Sequence, residues 1–338
     1  MRGFASDNWS GVHPRVLDAI ARANADHAPA YGADAWTQRA VARVREVLGR
    51  PDAEVFPVFN GTGANVLGLS AVTRPWDAVL CAKGSHVSVD ECNALERFAG
   101  VKLVPIPAPH GKLTPDFLAP HVKGQGVEHH AQPRVVSVTQ STEVGTVYRP
   151  GELRALSAFC RERGLLLHMD GARLANAAAA LGGDARAATE GVDVLSFGGT
   201  KNGALAAEAV VLLRPDLARD FRFVRKQGMQ LASKMRFVSA QLDALLADGL
   251  WLENARHANA MARRLADEAA KVPGVALAHP VEANAVFARL SDDAVDKCIA
   301  EVPFYRWDET TVRWVCSFDT TEEDVERLVE ALRRHCKH

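Results

Sequence analysis

The chain has 338 residues, 48% hydrophobic and 24% charged, with a formal net charge of −1. This balance offers neither a basic face for nucleic acid nor an acidic tail for a charged partner, and the length suits one large core with a second, smaller one. The opening "MRGFASDNWSGVHPRV" lacks an apolar leader segment, no run reaches the about 18 apolar residues of a membrane span, and six scattered cysteines (Cys81, Cys92, Cys160, Cys298, Cys316, Cys336) form no CxxC pair; the expectation is a cytoplasmic protein with reduced thiols, no zinc site and no membrane partner.

In chain order, "EVFPVFN" (54–60) reads as a strand and "GANVLGLSAVT" (63–73) as a helix. "DAVLCA" (77–82) is a strand, "SVDECNALERFA" (88–99) a helix and "KLVPIP" (102–107) a strand. "PRVVSVTQ" (133–140) is a strand, and "PGELRALSAFCRERG" (150–164) a helix that begins at Pro and ends at Gly. "LLLHMD" (165–170), "VDVLSFG" (192–198) and "AEAVVLL" (207–213) are further strands. This alternation predicts βαβ units and an α/β fold with a mostly parallel central sheet. A long helical region is expected over about 216–271, followed by short strands and helices. "DTTEEDVERL" carries an N-cap signature before an apolar helix. The expected division is a large α/β domain over 1–250, with an N-terminal arm at 1–15, and a small C-terminal α+β domain over 251–338.

In open parallel sheets, ligands bind beyond the carboxyl ends of the strands. Asp170 stands just past one such end, and Lys201 just past another, 31 residues later. "NGTGAN" (60–65) joins a strand to a helix, and its small residues let backbone N–H groups approach an anion. A phosphate cradle, a carboxylate and a lysine on one edge are what pyridoxal phosphate requires. The cradle takes its phosphate, the lysine its aldehyde, and the acid keeps its ring nitrogen protonated. Arg173, three residues after Asp170, is suited to grip a substrate carboxylate with two hydrogen bonds. Arg313 lies inside the apolar "VRWVCSF", where an unpaired guanidinium is costly, so it too calls for a carboxylate partner.

The sequence resembles the low-specificity L-threonine aldolases, pyridoxal phosphate enzymes of the aspartate-aminotransferase-like fold type I in the beta-eliminating lyase/threonine aldolase family. The resemblance runs over almost the full length. It rests on "SDN" (6–8), "YGAD" (31–34), "NGTGAN", "SHVSVDEC" (85–92), "HMDGARLANA" (168–177), "SFGGTKNGA" (196–204), "RKQGMQLASKMRF" (225–237) and "VRWVCSFDTTEEDV" (312–325). It implies that Lys201 and Asp170 hold the cofactor, Gly61 and Thr62 bind its phosphate, and His86 stacks over its ring. It implies that Ser6, Arg173 and Arg313 hold the substrate carboxylate. Tyr31 and one of Lys234 and Arg236 would come from a neighbouring subunit, the basic one onto the phosphate. His130, beside His129, corresponds to a loop histidine that meets the substrate hydroxyl. In "QSTEVG" (140–145), Thr142 keeps a threonine counted here with the cofactor-binding residues, while Glu143 stands where many members have histidine.

The implied reaction is reversible cleavage of L-threonine, L-allo-threonine or phenylserine to glycine and an aldehyde, with His86 or His130 as base. The alternative is another reaction of the same cofactor on a β-substituted amino acid, elimination or racemisation. The implied assembly is a homo-oligomer, a dimer of dimers with shared active sites. No metal is expected.

Overall fold

A computed structural model describes residues 2–336. Among them, seven strands build the main sheet: β1 (Glu54–Val58), β2 (Asp77–Ala82), β3 (Lys102–Ile106), β4 (Gln132–Thr139), β5 (Leu166–Gly171), β6 (Val194–Gly198) and β7 (Glu208–Leu212). Their order is β1-β7-β6-β5-β4-β2-β3. All neighbours pair in parallel except β7, which runs against both β6 and β1. The short connection 199–207 explains the exception, since a parallel crossover needs about a dozen residues or more.

Consecutive strand residues face opposite sides, and the sequence sorts them into two buried layers. Val136, Leu167, Leu195 and Val211 enter one core, with Leu48 and Leu153. Val135, Leu166, Val194 and Val210 enter the other, with Leu67 and Phe221. Helices α1 (Pro14–Ala23) and α2 (Ala35–Leu48) precede β1; Asp34 caps α2, and Gly49 ends it at φ 59°. Helix α3 (Gly61–Ser70) follows β1 directly.

Two helix expectations are corrected. The stretch 88–99 is not one helix but α4 (His86–Val89) and α5 (Ala94–Ala99). Cys92 and Asn93 between them take left-handed φ values of 49° and 57°, which no right-handed helix continues through. The region 216–271 is likewise broken, into Phe221–Gln227, Arg236–Leu246 and Leu250–Ala269. The breaks fall after Gly228, where Met229 has φ 62°, and at Asp248-Gly249, with φ 53° and 74°.

A second, antiparallel sheet has the order β10-β11-β9-β8, with β8 (Ala276–Leu277), β9 (Ala285–Arg289), β10 (Tyr305–Arg306) and β11 (Val312–Val315). Its core surrounds Trp314 and includes Phe4 from the N-terminal arm. The Phe4 N–H donates to Pro303 O, and its carbonyl accepts from Val315 N–H. Helix Glu322–His335 carries the anticipated cap: Thr321 and Asp324 form a reciprocal capping box. All six cysteines are unpaired. No helix among the described residues is long and apolar enough to cross a membrane.

Candidate active site

The carboxyl ends of β5 and β6 and the turn after β1 meet around a cavity of about 350 Å³, lined by Gly61, Thr62, His86, Asp170, Lys201 and Glu208 among others. The strand ends are brought together by glycine. A Cβ on Gly198 would lie 2.7 Å from the backbone of Ala172. Only a residue without a side chain lets the end of β6 approach the turn after Asp170 so closely.

Asp170 Oδ2 accepts from Asn65 Nδ2 at 2.8 Å, and Oδ1 accepts from the Ala172 N–H at 2.9 Å. Burial would raise this carboxyl, but Lys201 and those two donors outweigh it and hold it below the usual carboxylate range. Lys201 is half-buried on the cavity wall. Burial and the nearby Arg173 push its ammonium down toward the neutral amine, against the pull of Asp7 and Asp170. At the start of α3, Asn60 Oδ1 takes the Gly63 N–H at 2.7 Å. The first two N–H groups, of Gly61 and Thr62, remain at the positive end of the helix, and space around Gly61 is open.

An ionised carboxylate, an amine biased toward neutrality and an open helix N-terminus share one cavity, and this donor set fits pyridoxal phosphate. Two buried acceptors nearby, Asn65 Oδ1 and Glu91 Oε2, have no hydrogen-bond partner among the described residues.

His86 is fixed from two sides. Its Nδ1 lies 2.9 Å from Glu91 Oε1, and its backbone N–H donates to Glu143 Oε1 at 2.9 Å. The Glu91 bond chiefly raises the imidazole above its ordinary range, against burial. Asn65 Nδ2 also donates to Glu91 Oε1, at 2.8 Å. One amide nitrogen thereby links the carboxylate behind His86 to Asp170. Glu143, raised by burial, also accepts from Thr139 Oγ1 at 2.6 Å.

Lys201, Asp170, His86, Gly61 and Thr62 thus come together as the sequence suggests, whereas other expected residues lie elsewhere. Arg173 is close by; its Nε and Nη2 donate to Asp7 at 2.7 and 2.9 Å, which leaves the Nη1/Nη2 edge of its guanidinium for a further contact. Arg313 gives Nη2 to Ala5 O at 3.2 Å and packs near Trp307, while its buried Nε has no partner among the described residues. Ser6 caps the turn Asp7–Trp9 and lines an adjoining crevice of about 100 Å³ rather than the main cavity.

Thr142, expected among the cofactor-binding residues, stands off the cavity lining. Its Oγ1 meets Thr146 Oγ1 at 2.8 Å within a tight buried turn. His130 does not line this chain's own cavity. It lies on an exposed loop before β4, at the amino ends of the strands. The eight residues of β4 separate that edge from the cavity by about 25 Å. Tyr31 is half exposed beneath Lys226, with its N–H bonded to Ser233 O. Arg236 bonds Asp26 O, and neither it nor Lys234 lines this chain's cavity.

Sequence reasoning missed Asp7, Asn65, Glu91 and Glu208. Glu208 had a signal, a lone carboxylate opening the apolar strand "EAVVL". Glu91 had none, because it sits in what reads as the polar face of a helix.

Residues 3–293 match the family described as beta-eliminating lyase. A low specificity L-threonine aldolase of Pseudomonas aeruginosa is 48% identical over 335 residues, covering 98% of this chain and 96% of that one. A Saccharomyces cerevisiae protein of the same name is 28% identical, covering 86% of this chain and 74% of its own. Among solved structures, a threonine aldolase of Leishmania major superposes with a TM-score of 0.93 at 33% identity, covering 99% of each chain.

Proposed function

The chain belongs to the beta-eliminating lyase family, and on that premise we propose that it is a pyridoxal phosphate-dependent aldolase cleaving L-threonine and related L-β-hydroxy-α-amino acids to glycine and an aldehyde. The observation that carries this reading is the meeting of Lys201, Asp170 and the start of α3 on one cavity. The fold is that of the fold type I enzymes, seen in the match to the Leishmania major threonine aldolase.

When bound, pyridoxal phosphate supplies an acceptor for the electron pair left on Cα once the Cα–Cβ bond breaks. Lys201, whose ammonium is disfavoured by burial, is the amine that would hold the cofactor's aldehyde carbon. Asp170, kept ionised, holds the proton on the ring nitrogen. The N–H groups of Gly61 and Thr62 receive the phosphate. Arg313 and the outer Nη1/Nη2 edge of Arg173 receive the substrate carboxylate, with Ser6 of the N-terminal arm.

His86 accepts the β-hydroxyl proton. Because Nδ1 faces Glu91, the neutral ring keeps its proton there and offers Nε2 as the base. Such general-base help is worth about 10²–10⁴-fold. The proton it takes up is then stabilised by Glu91.

We assign Tyr31, Lys234 or Arg236, and His130 to an active site completed by a neighbouring copy, in a homo-oligomer built as a dimer of dimers. All four lie away from the cavity of their own chain. The near-neutral net charge offers little repulsion to such assembly.

The test is product analysis with L-threonine. Glycine and acetaldehyde in equal amounts support the aldolase. Ammonia and a keto acid without aldehyde would instead support elimination.

A further inference from the structure

We propose that Glu208 is a neutral, proton-donating ligand of the cofactor phosphate, so that the protein takes up a proton at this carboxyl when the cofactor binds. The inference rests on the reading of the cavity as a pyridoxal phosphate site.

Glu208 is the first residue of β7, and the register places it between Val58 of β1 and Gly198 of β6. Both neighbours lead straight into the site. Two residues past Val58 is Asn60, the cap of α3, and three past Gly198 is Lys201. The residue is 5% exposed and lines the same cavity as Gly61 and Thr62. Oε1 accepts from the Thr200 N–H at 3.2 Å, and no Lys or Arg makes an ion pair with Glu208 among the described residues.

The charged groups facing it are few. Lys201 comes from the turn after β6, and Asp170 from the end of β5. On the β1 side, Val58 carries no charge, and Arg225 gives its guanidinium to the Pro57 carbonyl. The start of α3 offers only backbone N–H groups, and Gln241 of the helix Arg236–Leu246 bonds the loop at Leu205 and Ala206. Burial lifts the carboxyl to about 7, against the donors of Thr200 and the charge of Lys201. Without cofactor, Glu208 therefore exchanges its proton near neutral pH.

A phosphate dianion entering this enclosed space brings like charge against the carboxylate and favours its neutral form. The protonated carboxyl then changes from a repelling acceptor into an O–H donor. The proton comes from solvent, no bond is made or broken in the cofactor, and the carboxyl's affinity for its proton rises on binding. The sign follows. Below pH 7 the proton is already present, and affinity owes nothing to this group's titration. Above pH 7 binding must take the proton up, so affinity falls by as much as tenfold per pH unit until the raised value of the complex is reached.

The probe is pyridoxamine 5′-phosphate, which carries the phosphate but has no aldehyde for Lys201. Its binding to the cofactor-free protein is measured by calorimetry at pH 6–9, in buffers of different ionisation heat, for the wild type, Glu208→Gln and Glu208→Ala. The expected result is that the wild type takes up about one proton more than either variant at pH 8. Its affinity relative to Glu208→Gln should fall by roughly tenfold per unit above pH 7. Pyridoxamine without phosphate should show no such difference. Equal proton uptake and parallel pH profiles in all three proteins would overturn the inference while leaving the cofactor site standing. No binding of the probe at any pH would overturn the cofactor reading and the inference together.

Discussion

Asp7 grips Arg173 through both Nε and Nη2, at 2.7 and 2.9 Å, across the gap between the N-terminal arm and the turn after β5. Both side chains are largely enclosed. Burial opposes the charge on each. For Asp7 the attraction of Arg173 wins and holds its carboxyl below the usual range. Removing one partner of a buried pair leaves the other uncompensated, at about 3–5 kcal/mol. Asp7→Ala should therefore lower the thermal midpoint by several degrees, seen by circular dichroism. Asp7→Asn, which keeps the shape and one acceptor, should lower it less.

In the proposed function Arg313, as well as Arg173, receives the substrate carboxylate. Its neighbours already disfavour the charge, since burial and then Arg173 push it down. A charge-assisted hydrogen bond contributes about 1.5–3 kcal/mol. Arg313→Gln should raise KM for L-threonine by roughly 10- to 150-fold on that scale. Cofactor absorbance and the thermal midpoint should change little.

The pair of His86 and Glu91 makes a prediction about pH. The Glu91 bond raises the imidazole, so the neutral, base-competent form is gained only as pH rises through that raised value. Replacing the carboxylate lowers the value. In Glu91→Gln the acid limb of kcat/KM should move to lower pH, while the plateau falls because the protonated ring loses its stabilising charge. An acid limb that stays in place would show that His86 is not the titrating base.

Gly198 is needed for contact rather than for conformation. In Gly198→Ala the new Cβ would sit 2.7 Å from backbone atoms of Ala172, which cannot swing aside. The strand end must shift, moving Lys201 relative to Asp170. Loss of activity is expected together with a stability cost of about 1–3 kcal/mol. By contrast, Gly84→Ala meets open space within 4 Å and should be tolerated.

Much of this architecture is legible in the chain because strand periodicity is a local property. "PRVVSVTQ" and "LLLHMD" announce a buried sheet, and their polar termini announce its functional edge. Asp170, Lys201 and Gly61, which line one cavity, are picked out for that reason. Where backbone reversals intrude, periodicity misleads, as at Cys92-Asn93, where a run patterned like a helix is cut in two. Contacts between distant segments are not written in any local pattern. Asp7 meets Arg173 only through the course of the arm, and Asn65 links Glu91 to Asp170 only because α3 packs beside β5. His130 shows the converse. Its motif is present, but the topology puts it at the other end of the sheet.

The measurement that tests the account most directly is acetaldehyde release from L-threonine by the purified protein with pyridoxal phosphate, compared with Lys201→Ala under the same conditions. Release by the wild type and its loss in the variant is the predicted result. Equal release from both would assign the chemistry to the free cofactor. No release from a folded, cofactor-loaded wild type, with phenylserine as well as threonine, would contradict the aldolase itself.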